Sequence, residues 1–331
     1  MPIESEIIAR LKSMASAGDE VLVGIGDDAA VINGRGGKDL IVCCDLMVEG
    51  VHFRTEWTPP GILGRKALAV SLSDIAAMGG VPKFAMVSIA LPREVSSEFI
   101  DDLFGGLFEL AGANGVSIIG GDTSSSRDSV FIDVSVIGEC DSGMAVTRRG
   151  ASIGDTIYVS GSLGASTLGL SLLEDGFRLD DSKPSDARTK AVLKHLAPEP
   201  QLKLGRALGE ARLASAMIDI SDGLSTDLWH ILDESDCGAV INAAAIPIAE
   251  CVRSLASELG VDPLRLSLNS GEEYELLFSC PRANHAQVVA LCDSLGVAIT
   301  AIGHIVAEKS LQLELDGILQ TLKPQGYQHV I

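Results

Sequence analysis

The chain lacks any stretch long enough to cross a bilayer: Asp, Glu, Lys or Gly breaks every apolar run before the roughly 18 residues a span requires. The N-terminus MPIESEIIARLK has no basic region followed by an apolar one, so a cytoplasmic location is expected and no membrane contact. A cysteine framework is missing too. The seven cysteines, at 43, 44, 140, 237, 251, 280 and 292, show neither CxxC nor finger-like spacing, which argues against disulfides and zinc. Basic residues are scarce: 25 Lys and Arg face 45 Asp and Glu, a net charge of −20 that disfavours nucleic acid as a partner. Neither the P-loop pattern GxxxxGK[ST] nor the protein-kinase motif set occurs, so any nucleotide site must be of another kind.

What is present is a chain of 331 residues, 47% hydrophobic, enough for a large core split between two domains. Its pattern reads as α/β (α+β). Ile7, Leu11 and Met14 fall at helical spacing, and LIVCCDLMV (40–48) reads as a strand. GRKALAVSLSDIAAMGGVP reads as a closely packed helix stopped by Gly79, Gly80 and Pro82, and FAMVSIAL as a strand. Ser96 and Ser97 are suited to capping a helix with apolar Phe99, Leu103, Leu107 and Leu110, ended by Asn114 and Gly115. SIIGGDTSSS reads as a strand running into a Gly-rich turn, whose backbone N–H groups suit phosphate. The texture changes around TRRGASIGDTIYVSG, which places a domain boundary near 148, with domains at 1–147 and 148–331. The second part holds the strands IYVSG and AMIDI, a helix from Leu224, the charged segment SGEEYELLF and a final α/β unit.

The acids stand in unusual company. GIGDDAAVI sets Asp27 and Asp28 among glycine and small apolar residues, with no cation nearby in sequence. Buried carboxylates without partners are costly, so a metal ion is the natural counter-charge. Asp45 ends a strand, Asp74 lies in a small-residue helix, Asp122 follows two glycines, and Asp219 and Asp222 flank a strand-to-helix turn. Singly each has a structural explanation: Asp222 suits a helix cap, Asp122 a turn, and Asp74 a pair with Arg65 or Lys66. Together they match the oxygen ligands that Mg²⁺ takes beside substrate phosphates.

GIGDDAAVI, DLMVEGVHF, ALAVSLSDIAAMGGVP, IIGGDTS, MIDISDGLSTDL and SGEEYELLF, in this order over nearly the whole chain, resemble the thiamine-monophosphate kinase family. That family belongs to an ATP-binding superfamily with aminoimidazole ribonucleotide synthetase and selenophosphate synthetase. The resemblance implies an N-terminal α/β domain that forms a homodimer and binds ATP and Mg²⁺, and a C-terminal α/β domain that closes over the nucleotide. It implies transfer of phosphate from ATP to thiamine monophosphate, giving thiamine diphosphate and ADP, with several Mg²⁺ ions. Carried over by position, it assigns Asp28, Asp45, Asp74, Asp122, Asp219 and Asp222 to metal. Gly121, Asp122, Arg148 and Ser221 fall to ATP, and His52, Glu272 and Tyr327 to the acceptor. No side chain is assigned as a catalytic acid, base or nucleophile. Two departures stand out: Cys43 and Cys44 replace the Ser and Thr usual before the second motif's aspartate, and no aromatic lies near Asn114 to stack on adenine. Another superfamily activity, or metal and nucleotide binding without turnover, are the alternative readings.

Overall fold

The structure, a computed structural model, describes residues 4–16, 18–179 and 186–327. The first sheet contains β1 (Val21–Val23), β2 (Ala30–Asn33), β3 (Lys38–Val48), β4 (Val81–Leu91), β5 (Ser117–Ser125) and β6 (Phe131–Asp141), in the order β1-β2-β3-β6-β4-β5. Helices α1 (Glu4–Met14), α2 (Pro60–Ala77) and α3 (Ser97–Ala113) accompany it. Only β4 and β5 run parallel here, because α3 crosses between them.

Alternation decides which face is covered. On β6, Ile132, Val134 and Val136 point inward and are fully buried, whereas Asp133 and Ser135 point outward. Leu63, Leu68, Leu72 and Ile75 of α2 belong to the core on the inner face. Small residues let this helix sit deep. A Cβ on Gly64 would fall 1.8 Å from the Leu103 carbonyl oxygen, so α2 and α3 touch through their backbones. The outer face instead carries exposed Leu40, Leu46, Phe84 and Met86.

Ser96 caps α3 by accepting from the Phe99 N–H at 3.1 Å, as the sequence predicts. Two expectations need correction. GGDTSSS is no turn: β5 runs straight through it, and Gly121 allows the close approach of β4, since a Cβ there would lie 1.8 Å from the Val87 carbonyl oxygen. Pro82, expected to stop a helix, stands second in β4, beside a register shift against β6 that accommodates its missing N–H.

The second sheet comprises β7 (Thr156–Ser160), β8 (Ala216–Asp219), β9 (Gly238–Asn242), β10 (Leu276–Cys280), β11 (Ile299–Val306), β12 (Leu311–Leu315) and β13 (Ile318–Thr321), in the order β13-β12-β9-β11-β7-β10-β8. Its helices are α4 (Ala165–Glu174), α5 (Ala187–Leu196), α6 (Leu202–Glu210), α7 (Leu224–Glu234), α8 (Glu250–Leu259), α9 (Pro263–Asn269) and α10 (His285–Leu295). Ile218, Leu228, Ile231, Leu277 and Ile302 form part of its core. Helix α2 also meets this second unit: a Cβ on Gly205 of α6 would lie 2.0 Å from the Ala76 carbonyl oxygen. Both units are therefore α/β, each with a mixed sheet. No helix among the described residues is long and apolar enough to cross a membrane.

Candidate active site

Four elements bring aspartates to one place. The segment before β2 supplies Asp28, the inner face of β3 Asp45, helix α2 Asp74, and the end of β8 Asp219. Oxygens of Asp28, Asp74 and Asp219 lie within 4.8 Å of one another, and so do ligand atoms of Cys43, Asp45 and Asp74. Asp74 joins the two groups. Oδ2 of Asp28 and Oδ2 of Asp45 are buried without a hydrogen-bond partner. Burial pushes the Asp74 carboxyl well above the usual carboxylate range, helped by repulsion from Asp45, Asp219 and Asp28. Burial likewise raises Asp219 to about 7, with Asp28 adding to it, against the hydrogen bond that Ser73 Oγ donates at 2.6 Å.

The sequence offers no cation near Asp27 and Asp28; the fold supplies one. Arg148 donates from its guanidinium to Asp28 Oδ1 at 2.6 and 3.3 Å, and from its backbone N–H to Asp27 at 3.2 and 3.3 Å. Neither Arg65 nor Lys66 pairs with Asp74: they bind Glu199 and Glu272. Nor does Asp222 cap α7. The N-cap position of that helix is Gly223, and Asp227 within the helix accepts from the N–H groups of Asp222 and Gly223 at 3.2 and 2.9 Å. Asp222, Asp227 and His230 bring ligand atoms within 4.8 Å of one another. Sequence reasoning missed Asp227 and His230, although their spacing of three residues on a helix places them on one face.

A cavity of about 500 Å³ opens beside these acids, lined among others by Asp45, Asp74, Asp219, Ser221, Asp222, His52, Glu272 and Tyr327. Eight of the expected site residues thus share one space. His52 accepts at Nδ1 from the Val48 N–H at 3.0 Å, which leaves its proton on Nε2 in the neutral ring. Glu272 is held in the left-handed region at φ 54° and donates its N–H to the Ser221 carbonyl at 2.7 Å. Its carboxylate lies 3.1 Å from Lys66 Nζ and 3.1 Å from His195 Nδ1. The sequence offered Lys66 only as a partner for Asp74, and His195 not at all. The Tyr327 N–H reaches the Asp222 carbonyl at 3.0 Å and ties the C-terminal segment to the site.

Gly121 and Asp122 do not join this cavity within one chain. Asp122 stands opposite Ser88, Ser88 opposite Asp133, and Asp133 opposite Leu46, a row on the outer face of the first sheet. Asp45 pairs with inward-facing Val134 and occupies the other face. The adjacent cysteines divide in the same way. Cys43 is buried beside Asp45 and Asp74, while Cys44 is exposed opposite Ser135.

Comparison with known proteins gives this arrangement a family. Residues 26–140 match the AIR synthase related protein N-terminal domain, and residues 152–316 the corresponding C-terminal domain. Thiamine-monophosphate kinase of Escherichia coli (strain K12) is 37% identical over 329 residues, 98% of both chains. The Bacillus subtilis (strain 168) enzyme is 36% identical over 312 residues, 93% of both. A solved structure described as AaThiL complexed with AMPPCP and TMP matches with a TM-score of 0.85 at 28% identity, covering 98% of this chain and 96% of that one. This chain belongs to the thiamine-monophosphate kinase family, within the AIR synthase related proteins.

Proposed function

We propose that the chain carries out Mg²⁺-dependent phosphoryl transfer from ATP to thiamine monophosphate, forming thiamine diphosphate and ADP in one in-line step. The observation that carries this reading is the shared cavity, where Asp45, Asp74, Asp219 and Asp222 line the same space as His52 and Glu272. The buried, unpartnered oxygens of Asp28 and Asp45 fit a divalent cation. Asp28, Asp45, Asp74, Asp219 and Asp222 would hold several Mg²⁺ ions, which neutralise the phosphates that these carboxylates alone would repel.

The chain's own residues orient the reactants. His52 Nε2–H is suited to donate to the acceptor phosphate, and the Glu272 carboxylate to face the cationic thiazolium. Ser221, and Arg148 beside Asp28, belong to the ATP side, and Tyr327 to the acceptor side. The acceptor phosphate is already ionised near neutral pH, so its oxygen attacks the γ-phosphorus as the bond to ADP breaks, with no general base. No side chain becomes phosphorylated.

Gly121 and Asp122 fit this scheme across a homodimer. The outer face that bears Asp122 exposes Leu40, Leu46, Phe84 and Met86, the character of a face covered by a second copy. We assign the dimer to this face, with Asp122 completing an ion and nucleotide position in the partner. The domains divide at 147/148, between the last strand of the first sheet, ending at Asp141, and the first strand of the second, starting at Thr156. The second domain closes over the nucleotide. Seven free thiols and the use of ATP favour the cytoplasm. Incubation of the purified protein with MgATP and thiamine monophosphate tests the reading: thiamine diphosphate and ADP are expected in equal amounts. ADP without thiamine diphosphate would overturn it.

A further inference from the structure

Lys66 is completely buried, an expensive place for an ammonium group unless anions and dipoles hold it. Its Nζ lies 3.1 Å from Glu272 Oε1 and donates to the His52 carbonyl at 3.4 Å. The contact spans two structural units: Lys66 rides on α2 of the first, and Glu272 precedes β10 of the second. Glu272 Oε2 is 3.1 Å from His195 Nδ1, a nitrogen also 3.2 Å from Ser166 Oγ. Buried ion pairs are poor evidence for stability, because well-packed apolar residues often serve as well. Here the carboxylate is no sealed core group. Its side chain retains 26% exposure and lines the cavity, while the Lys66 side chain behind it retains 1%.

We propose that Lys66 is a positioning residue of the acceptor site, holding the His52 backbone and the Glu272 carboxylate in register from behind through one ammonium. The proposal rests on the reading of His52 and Glu272 as acceptor-binding groups. Around Glu272 stand Lys66 on α2, His195 on α5, His52 in the loop after β3, Tyr274, and Tyr327 near the C-terminus. Burial pushes the Glu272 carboxyl up, and the Lys66 ammonium, foremost among the groups around it, together with His195 and His52 more than offsets this, leaving it below its usual range. Burial lowers His195 to about 3, so near neutral pH that side chain contributes a hydrogen bond and no charge. Lys66 is therefore the foremost of the groups that keep the carboxylate ionised. Helix α2 also carries Asp74, so a single rigid element fixes the acceptor group relative to the metal-binding acids.

Lys66→Met removes the ammonium and keeps the length. The KM for thiamine monophosphate is expected to rise roughly tenfold, as for loss of a charged hydrogen bond, with kcat and the affinity for MgATP by calorimetry little changed. The ratio of variant to wild-type KM, in which the acceptor's own titration cancels, should grow as pH falls from 8 to 5.5, because Glu272 regains its proton. In a Glu272→Gln background the same substitution should cost clearly less than in the wild type, leaving only the share that runs through the His52 carbonyl. Should Lys66→Met fail to melt cooperatively, Lys66→Gln carries the same pH and double-variant tests. An effect on KM that adds fully to that of Glu272→Gln, or is flat with pH, overturns the positioning role. A Glu272→Gln variant with unchanged KM overturns the acceptor-site reading itself, and the proposal with it.

Discussion

Along one part of the cavity lining, Glu272 lies between Lys66 and His195, each 3.1 Å away; along another, Asp45, Asp74 and Asp219 crowd together beside Asp28, which holds the Arg148 guanidinium. The carboxylates in both places line the same cavity and are half-buried or buried, yet their proton affinities move in opposite directions. Glu272 is pulled below the usual range, whereas Asp74 and Asp219 are pushed above it. The difference lies in where the compensating charge comes from. At Glu272 the chain supplies it, through the buried ammonium of Lys66. At the aspartates two buried oxygens have no partner at all, so the counter-charge must arrive with the ligands. A carboxylate that the chain itself keeps ionised suits the thiazolium ring of the proposed acceptor, and unpartnered oxygens suit a metal nucleotide.

The strongest way to break this comparison is to remove charge from the crowded side. Asp74→Asn keeps the shape of the residue common to both aspartate groups, and kcat/KM should fall at least about a hundredfold, ~2.7 kcal/mol, with the fold intact. Near-normal rates across a Mg²⁺ titration would show that the aspartates are merely tolerated.

A second test asks whether Asp122, on the far face of the sheet, serves the same chemistry in a partner. Asp122→Asn and Asp74→Asn homodimers should both be nearly inactive. Unfolded together and refolded, they should recover about a quarter of wild-type activity, since half of the dimers are mixed and each mixed dimer holds one intact site. No recovery would place Asp122 in the service of its own chain.

A smaller effect should appear in stability. By pH 5 an unfolded chain has released most protons from carboxyls near 3.8, while the folded protein still holds them on Asp219, at about 7, and on Asp74. The folded state then binds more protons, so without metal its stability falls as pH rises from about 4 to 7. The metal-free protein should melt roughly 3 °C or more higher at pH 5 than at pH 8, and Mg²⁺ should flatten this dependence. A melting temperature that rises with pH would contradict the charge assignment.

Much of the aspartate side was legible because Asp28 and Asp74 stand among glycine, alanine and serine and Asp45 and Asp219 within apolar strand runs, where a bare carboxylate has no structural use. The local elements were legible where periodicity was strong, as in β3, α2 and α3. The Gly120-Gly121 pair misled, since glycine serves a close strand approach as readily as a turn. What the sequence hid was pairing at a distance. Arg148 meets Asp28 from 120 residues away, and Lys66 and His195 meet Glu272 from separate elements; no local pattern encodes such contacts. Opposite faces of one strand were hidden too: Cys43 and Cys44 look equivalent in sequence, and only the pairing of β3 with β6 separates them.

That separation yields the smallest and most specific expectation. Cys43 Sγ lies within 4.8 Å of ligand oxygens on Asp45 and Asp74 and donates to the Ser71 carbonyl at 3.3 Å. Burial and the neighbouring carboxylates push this thiol well above its usual range, so it stays neutral, and a neutral thiol is a poor partner for Mg²⁺. A serine hydroxyl at the same position offers oxygen in place of sulfur and can keep the bond to Ser71. Cys43→Ser is therefore expected to lower the Mg²⁺ concentration for half-maximal activity about threefold, ~0.6 kcal/mol. Cys44→Thr alters the opposite face, and any change it causes should vanish in a variant that no longer dimerises while metal binding at Asp45 and Asp74 persists. Activity against Mg²⁺ at saturating ATP, with direct Mg²⁺ or Mn²⁺ binding as a second readout, separates the two cysteines. An unchanged Mg²⁺ requirement in Cys43→Ser would mean that the thiol only packs beside the aspartates, and that the metal sits further along the cavity toward Asp219 and Asp222.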